Sequence, residues 1–372
     1  MTVLPYASLF LLPLWLIFAP DRGAVTDSLL FLILTLFIGL RRDVGGDWRS
    51  YLLLFNRGRS YPLPVAIAVS DPGYMLLGRA VAALNLDVGA LNLLCATIFS
   101  AGLVLFSFEQ AEPALALLIA TPVAIVIVAM GFTRQSVALG LVLIATVAAS
   151  AGNIAAASCC LMAAVLFHSS ALLTLPMGLF WAYPQIAESR PAALAGLIAG
   201  VALWLAGRLV PAASRLLERY RGSAGAAVRL LPTALCVFIV LLFEPRLEFA
   251  GHLAALIPYF TLVSVFLLTT IPYAPTLADR LGFYTVVYQM MVIPAAIQAV
   301  TDPAAQAVLL GFVALLYLGL FGAWAFFSKF SASWMPYRSY LAAPRALIAR
   351  TPTALDMEPP RRERWLPFRG EG

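Results

Sequence analysis

Apolar runs recur along nearly the whole chain, at about 3–19, 25–40, 88–108, 113–130, 133–150, 154–182, 192–210, 230–243, 253–271, 281–299 and 306–327. A helix needs roughly 20 apolar residues per crossing of a bilayer, so the pattern predicts about eleven spans. Backbone polar groups inside lipid must be satisfied within the chain, which leaves helices or a closed barrel. The alternating segments of about ten residues that barrel strands show are missing. With 62% hydrophobic and only 11% charged residues, the sequence carries more apolar surface than a soluble domain can hide. The expected fold is all-α, a polytopic membrane helical bundle of about 10–12 transmembrane helices. The 230–243 run is short and the 154–182 run is long enough to be bent or broken, and either changes the parity of the count. Thr2–Ala19 has no basic n-region and no small-x-small cleavage site, so it reads as a retained first span.

The longest loop, about 41–87, follows the second span. Trp48, Tyr51, Leu52 and Phe55 fall on one face at helical spacing, predicting a short helix at the membrane interface with Arg49, Arg57 and Arg59 turned to headgroups. Asp71-Pro72-Gly73 places proline at a first helical position behind an acidic cap and predicts a second helix through Ala83. No internal repeat and no separate soluble domain is visible. Residues 1–335 form the membrane domain, and 336–372 read as a disordered, Pro/Arg-rich tail. Its basic balance suits the cytoplasmic face and anionic lipid rather than nucleic acid, since no nucleic-acid module is present. Cys95, Cys159, Cys160 and Cys236 lie within apolar runs without CxxC spacing and read as small core residues.

Charge inside such a chain is costly and marks functional candidates by default. Arg41, Arg42, Asp43 and Asp47 cluster with Gly45 and Gly46 at the edge of the second span. A carboxylate there suits a general base, and the arginines suit bidentate binding of a diphosphate; an interfacial salt-bridge cluster is the other reading. Arg134 interrupts the stretch Pro113–Ala149, with Gly131-Phe132-Thr133 as the turn and Thr133 as helix cap. Its cation and the free amides of a helix start would point at one anion, unless it merely snorkels. His168 stands in an apolar run beside Ser169 and Ser170, either a hydrogen-bonded core residue or a base or phosphate contact. Asp279-Arg280 with Tyr284 one turn on is an end-of-helix ion pair or a further ligand. Trp48, Tyr51 and Tyr74 suit stacking on sugar rings, or an aromatic belt.

With eleven spans the tail shares a cytoplasmic side with Arg215, Arg219 and Arg221. The N-terminus, the Arg41–Asp47 loop, Arg134 and His168 then lie outside, and Arg280 lies opposite them. No DxD stands between spans, only Asp356-Met357-Glu358 in the tail, and no Walker loop, HExxH or GxSxG occurs. ATP-driven transport, zinc proteolysis, serine-hydrolase chemistry and a metal-dependent nucleotide-sugar site all lose support.

Gly39-Leu40-Arg41 followed by Val44-Gly45-Gly46-Asp47-Trp48 and Tyr51 resembles the GLR…VGTDY…Y signature of the EpsG family of Wzy-like exopolysaccharide membrane proteins. Asp71-Pro72-Gly73-Tyr74, Met130-Gly131-Phe132-Thr133-Arg134-Gln135, Phe167-His168-Ser169, Asp279-Arg280-Leu281 with Tyr284, and Trp334-Met335-Pro336-Tyr337 follow in the family's order. Gly46 replaces a small polar residue, and Trp48 stands where tyrosine is common. The resemblance implies an inner-membrane polymerase that joins oligosaccharide units carried on undecaprenyl diphosphate at the periplasmic face, without metal or cofactor. It implies Asp47 or His168 as base. Arg41, Arg42, Asp43, Tyr51, Asp71, Arg134, Gln135, Arg280 and Tyr284 would line the substrate site, and membrane lipid and other polysaccharide assembly and export proteins would be partners. The competing readings are a flippase or transporter of lipid-linked saccharide, which needs no base, an O-antigen ligase, and a sugar acyltransferase.

Overall fold

The structure is a computed structural model that describes residues 3–18, 23–184, 188–210, 225–249 and 251–341, together with 213, 217, 218 and 223. The arginines at 215, 219 and 221 and the tail beyond Leu341 lie outside the described residues. Everything described is helix, turn or loop, apart from one isolated bridge between Arg41 and Ser339. In chain order the elements are α1 Leu4–Phe18, α2 Ala24–Gly39, α3 Trp48–Ser60, α4 Leu63–Val69, α5 Pro72–Ala83, α6 Val88–Phe108 and α7 Pro113–Ala129. They continue with α8 Thr133–Ser150, α9 Ile154–Phe167, α10 Ser169–Ala182, α11 Ser189–Leu209, α12 Ala226–Phe243, α13 Leu253–Thr270, α14 Pro275–Gln298 and α15 Pro303–Phe327. Among the described residues seven apolar helices are long enough to cross a membrane, and α1, α2, α7, α9 and α10 are shorter apolar helices. The chain is a multi-pass, all-α membrane bundle.

The short 230–243 run is part of a full-length helix, since Ala226–Arg246 spans 21 residues. The 154–182 run is not one bent span. It doubles back at His168, whose backbone is extended (φ −159°, ψ 126°) between α9 and α10. A three-residue turn, Ala151–Asn153, joins α8 to α9, and the two helices pack as an antiparallel pair. His168 therefore returns to the level of Arg134, at the start of α8. The chain then runs away again in α10, whose Phe180 ring packs 5.6 Å from Tyr259 at the start of α13. Each of these legs is short: α9 has 14 residues, about 21 Å of helix, against a hydrocarbon core of about 30 Å.

That reversal makes the number of legs even, and Arg280 lies beside Arg134 instead of opposite it. Gln135 Nε2 donates to the Arg280 carbonyl at 2.6 Å, which joins the start of α8 to α14. The first and last described segments meet at the same end of the bundle. Tyr6 OH donates to the Trp334 carbonyl at 2.5 Å, Gly45 N–H to Ser333 O at 2.9 Å, and Tyr340 N–H to Leu40 O at 2.8 Å. Residues 336–341 do not leave the bundle: the Tyr337 ring stacks on Phe37 at 4.6 Å and its hydroxyl donates to the Phe37 carbonyl at 2.8 Å.

Two local features shape this end. Around Pro122, which has no N–H to give, α7 widens into a π-helix over Thr121–Ala129, just before the Gly131 turn. Gly45 holds φ +101°, and a Cβ there would stand 2.5 Å from the Met130 carbonyl oxygen, so only glycine lets the loop lie against that turn. In the loop, α3 buries Trp48, Tyr51, Leu52 and Phe55 as the spacing predicts, but against protein. Together with Tyr74, Met75 and Leu91 they form a second core cluster, so Trp48, Tyr51 and Tyr74 are core residues and not an aromatic belt. Cys95 and Cys236 are buried as expected, whereas Cys159 is exposed on the outer face of α9.

Candidate functional site

Arg134 stands at the second position of α8. Thr133 is the first helical residue and Phe132 the cap, so Thr133 is not the cap the sequence suggests. Its hydroxyl instead accepts from Arg41 Nη2 at 2.6 Å. Arg134 Nη1 is 2.6 Å from Asp71 Oδ2 and 2.7 Å from Ser70 Oγ, and its guanidinium lies 5.9 Å from the centre of the Tyr51 ring. Asp71 begins α5 as predicted, yet its carboxylate caps nothing in its own helix. It takes the guanidinium and the backbone N–H of Ser169, fastening α5 to the His168 turn. Burial outweighs the Arg134 charge and raises the Asp71 carboxyl above its usual range. Asp47, half-buried, lies close enough to Tyr51 and Arg134 to act on both electrostatically. Burial first, and Asp47 second, push the Tyr51 hydroxyl up to about 12.

The second half of the site is built on the reversal. His168 Nδ1 faces Ser170 Oγ at 2.6 Å and accepts the Ser170 backbone N–H at 3.2 Å. Ser170 Oγ is also 3.1 Å from Tyr284 OH and 3.3 Å from Gln135 Nε2. An Nδ1 that accepts from Ser170 leaves the ring proton on Nε2. Burial, aided by the charges of Arg134 and Arg280, lowers the imidazole to about 3, so it stays neutral at ordinary pH. A neutral ring with an Nε2–H is a hydrogen-bond donor and a poor base.

Asp47, Tyr51, Asp71, Arg134, His168 and Arg280 thus gather at one end of the bundle. Others of the predicted set support them from behind. Arg41 is only 2% exposed and gives Nη1 to the Ile38 carbonyl at 2.6 Å, so it joins the end of α2 to the start of α8 beneath the site. Gln135 and Tyr284 are likewise buried. Arg42 lies 5.8 Å over the Tyr340 ring, and Asp43 pairs with Arg338 at 2.6 Å, one loop away from Arg134. Asp279 is taken up bidentately by Arg229 at 2.5 and 2.6 Å. Ser70 and Arg338 were not singled out from sequence. Ser70 directly precedes the Asp71-Pro72 start signal, but nothing in the sequence distinguishes Arg338 from the other basic residues of the tail. Among the described residues no three His, Cys, Asp or Glu side chains converge as a metal site would require.

The model of the EpsG family matches residues 25–339. No curated protein and no solved structure gives a match.

Proposed function

The chain belongs to the EpsG family, which carries an exopolysaccharide-polymerase-like role in the membrane, and from that premise we propose that it extends a glycan from a lipid-diphosphate-linked donor at the cluster around Arg134. The observation that carries the reading is Arg134 itself, a half-buried cation at a helix start, set among Asp71, Ser70, Tyr51 and Asp47 and facing the His168 turn. The acceptor hydroxyl attacks the anomeric carbon of the donor sugar. The bond from that carbon to the diphosphate oxygen breaks, and the diphosphate leaves with the electron pair while the new glycosidic bond forms. Charge grows on the departing diphosphate, which is where fixed donors lower the barrier most. Arg134 and Arg280 supply guanidinium N–H groups, and His168 supplies its Nε2–H. The hydroxyl proton passes to a carboxylate, and Asp47 is the base in this reading, because Asp71 is committed to Arg134 and Ser169 and His168 is held neutral.

The donor is undecaprenyl-diphosphate-linked oligosaccharide presented at the periplasmic face of the inner membrane, as the family's role implies. Because residues 336–341 lie at the site end, the start of the tail is then periplasmic as well. In a strain dependent on this chain, Arg134→Ala abolishes polymer and accumulates single-repeat lipid, while the protein still inserts. Asp47→Asn keeps shape but removes basicity, and lowers extension at least 100-fold, in the range typical of a lost general base. Full extension by the Asp47→Asn protein would instead assign the site to transport of lipid-linked saccharide.

A further inference from the structure

Beside the Gly45–Gly46 loop lies a polar cavity of about 360 Å³. Asp43, Gly46, Trp48 and Arg49 line one wall, and Ser333 and Arg338 the other. Gly45 shares this wall while its backbone rests on Met130 and Gly131, at the turn that leads into Arg134. The loop therefore lies between this cavity and the turn that leads into Arg134. Each place holds an ion pair, but the two differ in exposure. Arg134 and Asp71, 2.6 Å apart, are mostly covered. In the cavity Asp43 pairs with Arg338 at 2.6 Å, each partner about half exposed. An exposed pair contributes little to stability, yet it offers guanidinium N–H donors and carboxylate lone pairs side by side. Neighbouring sugar hydroxyls, each both donor and acceptor, match such a pair. The volume lies within the roughly 300–1,000 Å³ of small-ligand sites.

We infer that this cavity, between the Asp43–Trp48 loop and the Ser333–Arg338 segment, is the subsite for the terminal sugars of the acceptor glycan. The inference rests on the glycan-extending reading above. It makes Asp43 and Arg338 acceptor-binding residues and brings the acceptor to the loop that carries Asp47.

The test uses the full-length protein in lipid nanodiscs and two probes, short oligosaccharides cut from the polymer that wild-type cells make and inorganic pyrophosphate. Asp43→Ala and Arg338→Ala each weaken oligosaccharide binding at least tenfold and leave pyrophosphate binding within twofold of wild type. Gly46→Phe does the same by filling the cavity with the ion pair intact. A Cβ at Gly46 meets nothing closer than the Trp334 ring at 3.7 Å, so this variant keeps the test open if an ion-pair variant does not fold. Arg134→Ala gives the reverse pattern. Unchanged oligosaccharide binding in the cavity variants overturns the subsite, as does a parallel loss of both probes or a wild-type protein that binds no oligosaccharide. Unchanged pyrophosphate binding by Arg134→Ala overturns the proposed function instead, so the two failures are told apart.

Discussion

His168 shows how one residue can set both geometry and chemistry. The Ser170 N–H that its Nδ1 accepts caps the start of α10 and also fixes the tautomer, and burial beside Arg134 and Arg280 keeps the ring neutral down to about pH 3. The unfolded chain binds a proton near the ordinary value of 6.5 and the folded chain does not. Between those values the unfolded state holds more protons, so stability falls as pH drops from about 6.5 towards 3 and is flat above. His168→Gln flattens that slope, which thermal unfolding in detergent at pH 7, 5.5 and 4.5 will show. An unchanged slope would mean that the imidazole titrates normally. A residue-scale reading of the sequence ranks Arg41 and Gln135 together with Asp47, Asp71, Arg134 and His168. Both are polar residues in the right motifs. What separates them is direction: Arg41 turns under α8 toward the Ile38 carbonyl, and spacing alone does not carry that.

Among the elements, the pairing of α6 with α8 holds Arg134 in place. Helices in lipid gain little from burying apolar surface against each other, so close contact through small residues matters more. A Cβ on Gly140 would stand 2.6 Å from the Phe99 Cα and 2.8 Å from the Ile98 carbonyl oxygen, and one on Gly102 would meet Gly140 O at 2.2 Å. Gly140→Leu therefore forces the helices apart. We expect it to cost about 1–3 kcal/mol, the range for overpacked cores, seen as a lowered midpoint in detergent unfolding. It should also reduce glycan extension, since α8 carries Arg134. Gly140→Ala, the smaller insult, should lie between. Elements with local signals were legible in the sequence: Asp71-Pro72 gave the start of α5, and the Trp48, Tyr51 and Phe55 spacing gave the face of α3. The break at His168 was not legible as a reversal. No glycine or proline stands there, and the only local mark is the polar run His168-Ser169-Ser170, whose side-chain bond to its own backbone replaces a turn residue.

For the whole molecule, that one reversal decides sidedness. It brings the N-terminus, the Arg134 cluster, Arg280 and the start of the tail to a single end, where an odd span count had divided them. Charge follows the same division. Arg49, Arg57, Arg59, Arg79, Arg208 and Arg229 lie at the site end with Asp87 and Asp279, while Glu109, Glu112, Glu188, Glu244 and Asp302 lie at the other with Arg190 and Arg246, so the excess of cations is at the site end. The bias of basic loops toward the cytoplasm, taken alone, puts the site inside. Several of these cations are held by the fold, however. Arg79 donates to the Gly58 and Tyr61 carbonyls at 3.1 and 2.7 Å, Arg229 is bound to Asp279, and Arg338 to Asp43. A cation with an internal partner has a structural reason to be where it is, and the periplasmic reaction proposed above requires this end to face out. The experiment places one cysteine at exposed Ser60 and another at exposed Glu109, at opposite ends of the bundle, in a chain with Cys159 and Cys160 changed to alanine. A membrane-impermeant maleimide applied to intact spheroplasts is expected to label Ser60→Cys and spare Glu109→Cys until the membrane is opened. The reverse pattern would move the chemistry to the cytoplasmic leaflet, where the lipid-linked glycan would have to be extended before it is flipped across the membrane.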